Sequence, residues 1–236
     1  PELLWWQKIL QPFLNLEELS ILRCTTTFFQ TYWESVVLIQ NVIRVPQECP
    51  TLEKAMALAV VLSGKRVFTE ADPLKIQIDE GVHEIVGLTD ENGDHHAVVD
   101  VTCNHITFVG KGKNHTTIRG GFRVINQQNV KFEELTLTSQ HKNGGNGLQL
   151  QGSETTVDVL KCAVTECGWT GMSVWSGATV TATQCEFMEN GTSGVFCDGA
   201  NTKARLNNCQ MHHNGRDGLF VHDDAVVDLH GTSTDI

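Results

Sequence analysis

GLQLQG (residues 147–152), GMSVWSG (171–177), GVFCDG (194–199) and GLFVHDD (218–224) are near-copies of one stretch, and their first glycines are 24, 23 and 24 residues apart. Two further landmarks keep the same step. Cys162, Cys185 and Cys209 are separated by 23 and 24 residues, and so are the turn pairs Cys167-Gly168, Asn190-Gly191 and Asn214-Gly215. Three registers holding one period of this size mark a stacked-repeat architecture, in which each unit buries its apolar face only on its neighbours. Within each repeat, apolar and polar residues alternate, as in Val157-Asp158-Val159, Val180-Thr181-Ala182-Thr183 and Leu219-Phe220-Val221-His222. That period of two, bounded by Gly and Asn, signals short strands. No helical stretch fits inside a repeat, which argues against leucine-rich, ankyrin and tetratricopeptide arrays.

Short strands and tight turns in coils of about 24 residues predict a mainly β fold, a parallel β-helix. Right-handedness follows from the general rule for parallel crossovers. Alternation along a strand places Leu148, Met172, Val195 and Leu219 in one inward column and Leu150, Val174, Cys197 and Val221 in another. Cys162, Cys185 and Cys209 form a third buried column, above Val164, Phe187 and Met211. With no C-x-x-C pair in the sequence, these cysteines are expected to be free thiols acting as small hydrophobes. Earlier coils are looser. Gly121-Phe122-Arg123-Val124 precedes the Gly147 repeat, Ile106-Thr107-Phe108 precedes Val130-Lys131-Phe132, and Ile76-Gln77-Ile78 begins the series.

The composition is that of an ordered chain, with 40% hydrophobic residues and five prolines in 236. Its apolar runs are too short to span a bilayer, so no membrane partner is expected. A formal net charge of −11 disfavours nucleic acid, whose phosphates need a basic face. Lys111, Lys113, Arg119, Arg123 and Lys131 make a local positive cluster that reads as a solvated edge. Eight cysteines without a signal peptide fit a reducing compartment, cytoplasmic or nuclear. The sequons at Asn114 and Asn190 matter only in a secreted protein. The chain starts without methionine and stops in mid-coil, which predicts a piece of a longer polypeptide.

Three divisions are expected: a helical segment at 1–41, a linker with a capping helix at 42–73, and the β-helix at 74–236. In the first, apolar residues recur at helical intervals and Asn15 can cap a second helix. In the second, Thr51 is the N-cap of a helix whose apolar side is Leu52, Ala55, Met56, Ala59, Val60 and Leu62, ended by Ser63-Gly64. The spacing of Leu3, Leu4, Ile9, Leu10, Phe13, Leu14, Leu19, Leu22, Phe28 and Trp33 resembles the F-box, the helical module that docks on the Skp-type adaptor of cullin-RING ubiquitin ligases; Leu3, Leu4, Ile9, Leu10, Phe13 and Leu14 would make that contact. An N-terminal helical cap on the solenoid is the other reading of this segment. The helix of Pro50-Thr51-Leu52-Glu53-Lys54-Ala55 followed by Ile76, Ile78, Gly81 and His83 looks like the entry of pectate-lyase-like right-handed β-helices. Together the parts resemble F-box proteins with a carbohydrate-binding and sugar-hydrolase-like β-helix. That resemblance implies a β-helix serving as a substrate receptor, without catalysis or a cofactor.

For function, the outward columns read Gln149, Ser173, Phe196, Phe220 and Gln151, Trp175, Asp198, His222, with Trp169, Thr192 and Arg216 in the adjoining turn. Aromatic side chains outside the core suit a binding face, so Trp169, Trp175, Phe196, Asp198, Arg216, Phe220 and His222 are the candidate contacts for a protein client or a glycan. An enzyme of the polysaccharide lyase or epimerase class is the alternative, with Asp198, His222 and Arg216 as its groups. No stack of carboxylates across three coils accompanies them. The adjacent pairs His95-His96 and His212-His213 should diverge in strands, which argues against a metal there. No phosphate loop, H-E-x-x-H or G-x-S-x-G occurs.

Overall fold

The computed structural model describes residues 41–89, 95–139, 145–232 and 234. Three parallel sheets wrap around one core and the chain visits them in turn. Face 1 has eight strands, from Val42–Val45 and Leu74–Ile78 through Ile106–Val109, Val130–Glu133, Thr156–Leu160, Thr179–Thr183 and Lys203–Asn207 to Val226–His230. Face 2 has six, from Gly81–Glu84 to Gln210–His212, and face 3 has six, from Val98–Val101 to Leu219–His222. This is the parallel β-helix that the repeats predict. Face 1 begins one strand earlier than Ile76–Ile78, because Val42–Val45 pairs in parallel with Leu74–Ile78. Leu88–Thr89 and His95–His96 form a small antiparallel pair outside the three faces.

The corners come from a repeated backbone device. At the last four turns from face 1 to face 2 one residue is left-handed: Glu134, Lys161, Gln184 and Asn208, with φ between 51° and 55°. The next side chain then points inward, and these are Leu135, Cys162, Cys185 and Cys209, all at most 1% exposed. After face 2 the same device recurs at Glu166, Glu189 and His213, each followed by Cys167, Asn190 or Asn214. A single left-handed residue in a non-glycine costs about 1–3 kcal/mol, which the buried side chain beyond it must offset through burial worth about 1.5–3 kcal/mol for a large hydrophobe.

Inside, the expected columns are in register. Phe122, Leu148, Met172, Val195 and Leu219 align on face 3, and Val164, Phe187 and Met211 align on face 2. Cys162, Cys185 and Cys209 each donate a thiol hydrogen bond to a carbonyl of the preceding coil, at 3.5, 3.3 and 3.4 Å. The seven cysteines among the described residues are buried free thiols. In the early coils Phe108, Phe122 and Phe132 pack together in the core with ring centroids 4.9–5.1 Å apart. Val221, in register with buried Cys197, is 42% exposed.

Helix α1 (Leu52–Ser63) has Thr51 as its N-cap, whose hydroxyl accepts the Lys54 N–H at 3.3 Å. It packs on Val42–Val45 and Val98–Val101. Its buried side agrees with expectation at Leu52, Ala55, Met56, Ala59 and Leu62, but Leu58 is inside where Val60, 49% exposed, was expected. Among the described residues no helix is long and apolar enough to cross a membrane. The expected F-box contacts Leu3, Leu4, Ile9, Leu10, Phe13 and Leu14 lie outside the described residues.

Candidate functional site

The outer surface of face 3 is a ladder whose rungs are set by strand register. One column runs Arg123, Gln149, Ser173, Phe196, Phe220, and the next runs Ile125, Gln151, Trp175, Asp198, His222. Successive rungs stand about 4.8 Å apart, so side chains some 24 residues apart in sequence become neighbours. Phe196 and Phe220 stack with centroids 5.6 Å apart and planes within 4°. Phe220 also stacks on His222 at 6.1 Å and 17°. Trp175, 39% exposed, stands one rung before Asp198.

Trp169 and Arg216 belong to the turn that leads into face 3. The Thr192 N–H donates to the Trp169 carbonyl at 2.9 Å and the Arg216 N–H to that of Thr192 at 2.8 Å, so these three form their own column. The structure therefore groups the sequence-derived candidates into an aromatic row with Asp198 and His222, and a flanking row with Trp169 and Arg216. Among the described residues no ring contact joins Trp169 to the stacked row.

Asp198 and His222 meet across one coil step. His222 Nδ1 lies 3.1 Å from Asp198 Oδ1, and the ring nitrogen is also 3.2 Å from Asp223 Oδ1. Asp198 is the one carboxylate in its column, so the stack of acidic groups that lyase chemistry would draw on is not built there. At the start of face 3, Arg123 is engaged by Asp100 through two bonds of 2.5 and 2.8 Å, which push its guanidinium pKa up further.

The basic cluster stays at a solvated edge and is paired there, while the histidine expectation changes. The positive cluster is neutralised pair by pair: Lys111 with Asp79, Lys113 with Glu186, Arg119 with Glu84, Arg123 with Asp100 and Lys131 with Asp158. His212 and His213 converge instead of diverging. The left-handed φ of 54° at His213 ends the strand and brings the two Nδ1 atoms to 2.7 Å, with rings at 88°. The Asn190 sequon, in turn, points inward: Asn190 is 2% exposed. The carrier of a glycan cannot occupy that position in the folded coil.

Comparison with known proteins agrees with this architecture. A family model described as "Right handed beta helix region" matches residues 90–233. No curated protein matches the chain. Among solved structures it is similar to the Agl-KA catalytic domain, at 18% identity and a TM-score of 0.52, over 71% of this chain and 31% of that one. It is also similar to ORF18 of Geobacillus virus E2, at 13% identity and a TM-score of 0.57, over 88% of this chain and 42% of that one. The chain thus spans less than half the length of either, and at these identities the likeness concerns the fold alone.

Proposed function

The chain belongs to the right-handed β-helix family, and on that premise we propose that it is a non-catalytic receptor binding a glycan or a protein client along the outside of face 3. The observation that carries this reading is the stacked, solvent-facing row of Phe196, Phe220 and His222 beside Trp175. Aromatic surface left open to water is costly unless a partner covers it, and planar rings suit sugar faces or extended peptide. In the same reading α1 closes the N-terminal end of the solenoid, and residues 1–41 are an F-box that recruits a Skp-type adaptor in the cytoplasm or nucleus. The support for that recruitment is the apolar spacing of Leu3, Leu4, Ile9, Leu10, Phe13 and Leu14.

Catalysis is a second reading, favoured by the close approach of His222 to Asp198. The two readings separate in one experiment, using acidic polysaccharides with and without calcium, alongside a pull-down from cell extract probed for a Skp-type adaptor and a cullin. For a receptor, Trp175→Ala and Phe220→Ala each weaken binding by about 2 kcal/mol or more, and deletion of residues 1–40 removes the adaptor while the β-helix stays folded. Turnover of a polysaccharide that disappears in His222→Ala while binding persists would establish an enzyme instead. A deletion that unfolds the solenoid would make the N-terminal segment a cap.

A further inference from the structure

The end of face 3 carries a feature that ligand binding by aromatic rings does not use. A single imidazole nitrogen, Nδ1 of His222, faces carboxylate oxygens of both Asp198 and Asp223, at 3.1 and 3.2 Å, and the three donor atoms lie within 4.8 Å of one another. Asp198 is the hydrogen-bond partner of that nitrogen, and Asp223 brings a second carboxylate oxygen close to it. The spacing is informative. With metal–ligand bonds of about 2.1 Å, adjacent donors stand about 3.0 Å apart in an octahedron and about 3.4 Å in a tetrahedron. Both nitrogen–oxygen distances fall between those values.

The geometry points to a divalent transition-metal site formed by Asp198 Oδ1, His222 Nδ1 and Asp223 Oδ1. Each donor is placed by a separate element of the fold. Asp198 comes from one coil and His222 from the next, held in register by strand pairing. The imidazole ring is oriented by its stack on Phe220, itself stacked on Phe196. Asp223 follows the strand with a left-handed backbone, φ of 45°, and its carboxylate reaches the same nitrogen. Two coils earlier the corresponding positions are Trp175 and Ser176, which supply no such ligands, so the donor set belongs to this end of the ladder. An imidazole with two carboxylates suits zinc and its first-row neighbours better than calcium or magnesium, which take oxygen donors alone. Asp223 is 69% exposed and the other two are 57% and 32% exposed, leaving coordination positions for water or for a donor of an incoming molecule. This inference does not depend on the receptor reading, since it concerns the ion and not the glycan or client.

The test titrates the full chain with zinc, and with cobalt as a visible reporter, by calorimetry and absorption. One saturable site is expected, weakened by about tenfold or more in each of His222→Ala, Asp198→Asn and Asp223→Asn. Asp224→Asn removes a neighbouring charge without touching the donors, and His213→Ala removes the other imidazole cluster. Both should leave the affinity within about twofold, well inside the change expected for a lost ligand. Should a variant fail to fold, nitrogen NMR of the wild-type histidines decides: zinc must shift the His222 Nδ1 resonance. An unmoved His222 signal, absence of saturable binding, or a loss in Asp224→Asn equal to that in Asp223→Asn would overturn the site.

Discussion

Replacing Asn190 by alanine tests whether polar ladders, and not only apolar columns, hold the coils together. Asn190 is 2% exposed and its amide is used on both sides. Oδ1 accepts the Cys167 N–H at 3.1 Å, and Nδ2 donates to the Val164 carbonyl at 3.2 Å and to Asn214 Oδ1 at 3.0 Å. Alanine leaves the Cys167 N–H and the Val164 carbonyl without these partners in a place water does not reach. Each orphaned group costs about 1–3 kcal/mol, less what is recovered by no longer burying an amide, so a loss of about 3 kcal/mol is expected. Urea denaturation followed by circular dichroism measures it, with an unchanged slope confirming that the same surface unfolds. Asn190→Asp retains the acceptor but aims an oxygen at the Val164 carbonyl and at Asn214 Oδ1, and should be at least as damaging. If either variant costs less than about 0.5 kcal/mol, the size of an ordinary surface substitution, the ladder is incidental and the reasoning fails.

Two further outcomes follow from the thiol column. Burial pushes the thiols of Cys162, Cys167 and Cys197 up to about 12 from an ordinary 9.0. Between those values the unfolded chain binds fewer protons than the fold. The stabilisation is therefore complete below about pH 9 and is lost as pH rises towards 12, at about 1.4 kcal/mol per pH unit for each thiol. Urea midpoints should fall steeply from pH 8.5 to 10.5 and flatten when the three are replaced by alanine; equal profiles for the two proteins would contradict the assignment. Cys185→Asp sets an unpaired carboxylate where a thiol donates to the Val159 carbonyl at 3.3 Å, and should cost several kcal/mol, against about 1 kcal/mol for Cys185→Ala. Thermal melts of the two variants that coincide would show that this position is not sealed from water.

The inward columns were legible because a solenoid converts sequence period directly into spatial register. Once the step of 24 is known, alternation assigns Leu148, Met172 and Val195 to one line without further information. The same logic explains Gly191 and Gly215, at the turn pairs: a Cβ on either would stand 2.2 Å from a carbonyl oxygen of the coil before it, so close stacking demands glycine. Register was not legible where something is inserted. Val42 pairs with Lys75 and Lys75 with Thr107, steps of 33 and 32 residues, because α1 and the antiparallel Leu88–His96 pair interrupt the first coils. VIRV before Pro46 has no periodic partner to reveal it as a strand.

Corners set the second limit, and it bears on the site. Glu134, Lys161 and Gln184 are left-handed without being Gly or Asn, because the buried residue that follows compels the turn. Nothing in their side chains announces this, so a reading that extends strands by alternation errs wherever such a corner falls. His212 and His213 were expected to diverge for that reason, and they meet because His213 is a corner. Asp198 and His222 were readable as neighbours because they share a strand register. Asp223 was visible only as an acidic residue close in sequence, since its carboxylate reaches the same nitrogen through a left-handed turn beyond the strand end. The part of the face 3 surface that lies on strands follows from periodicity; the part that completes a coordination sphere lies on a turn, where local backbone conformation decides which atoms meet.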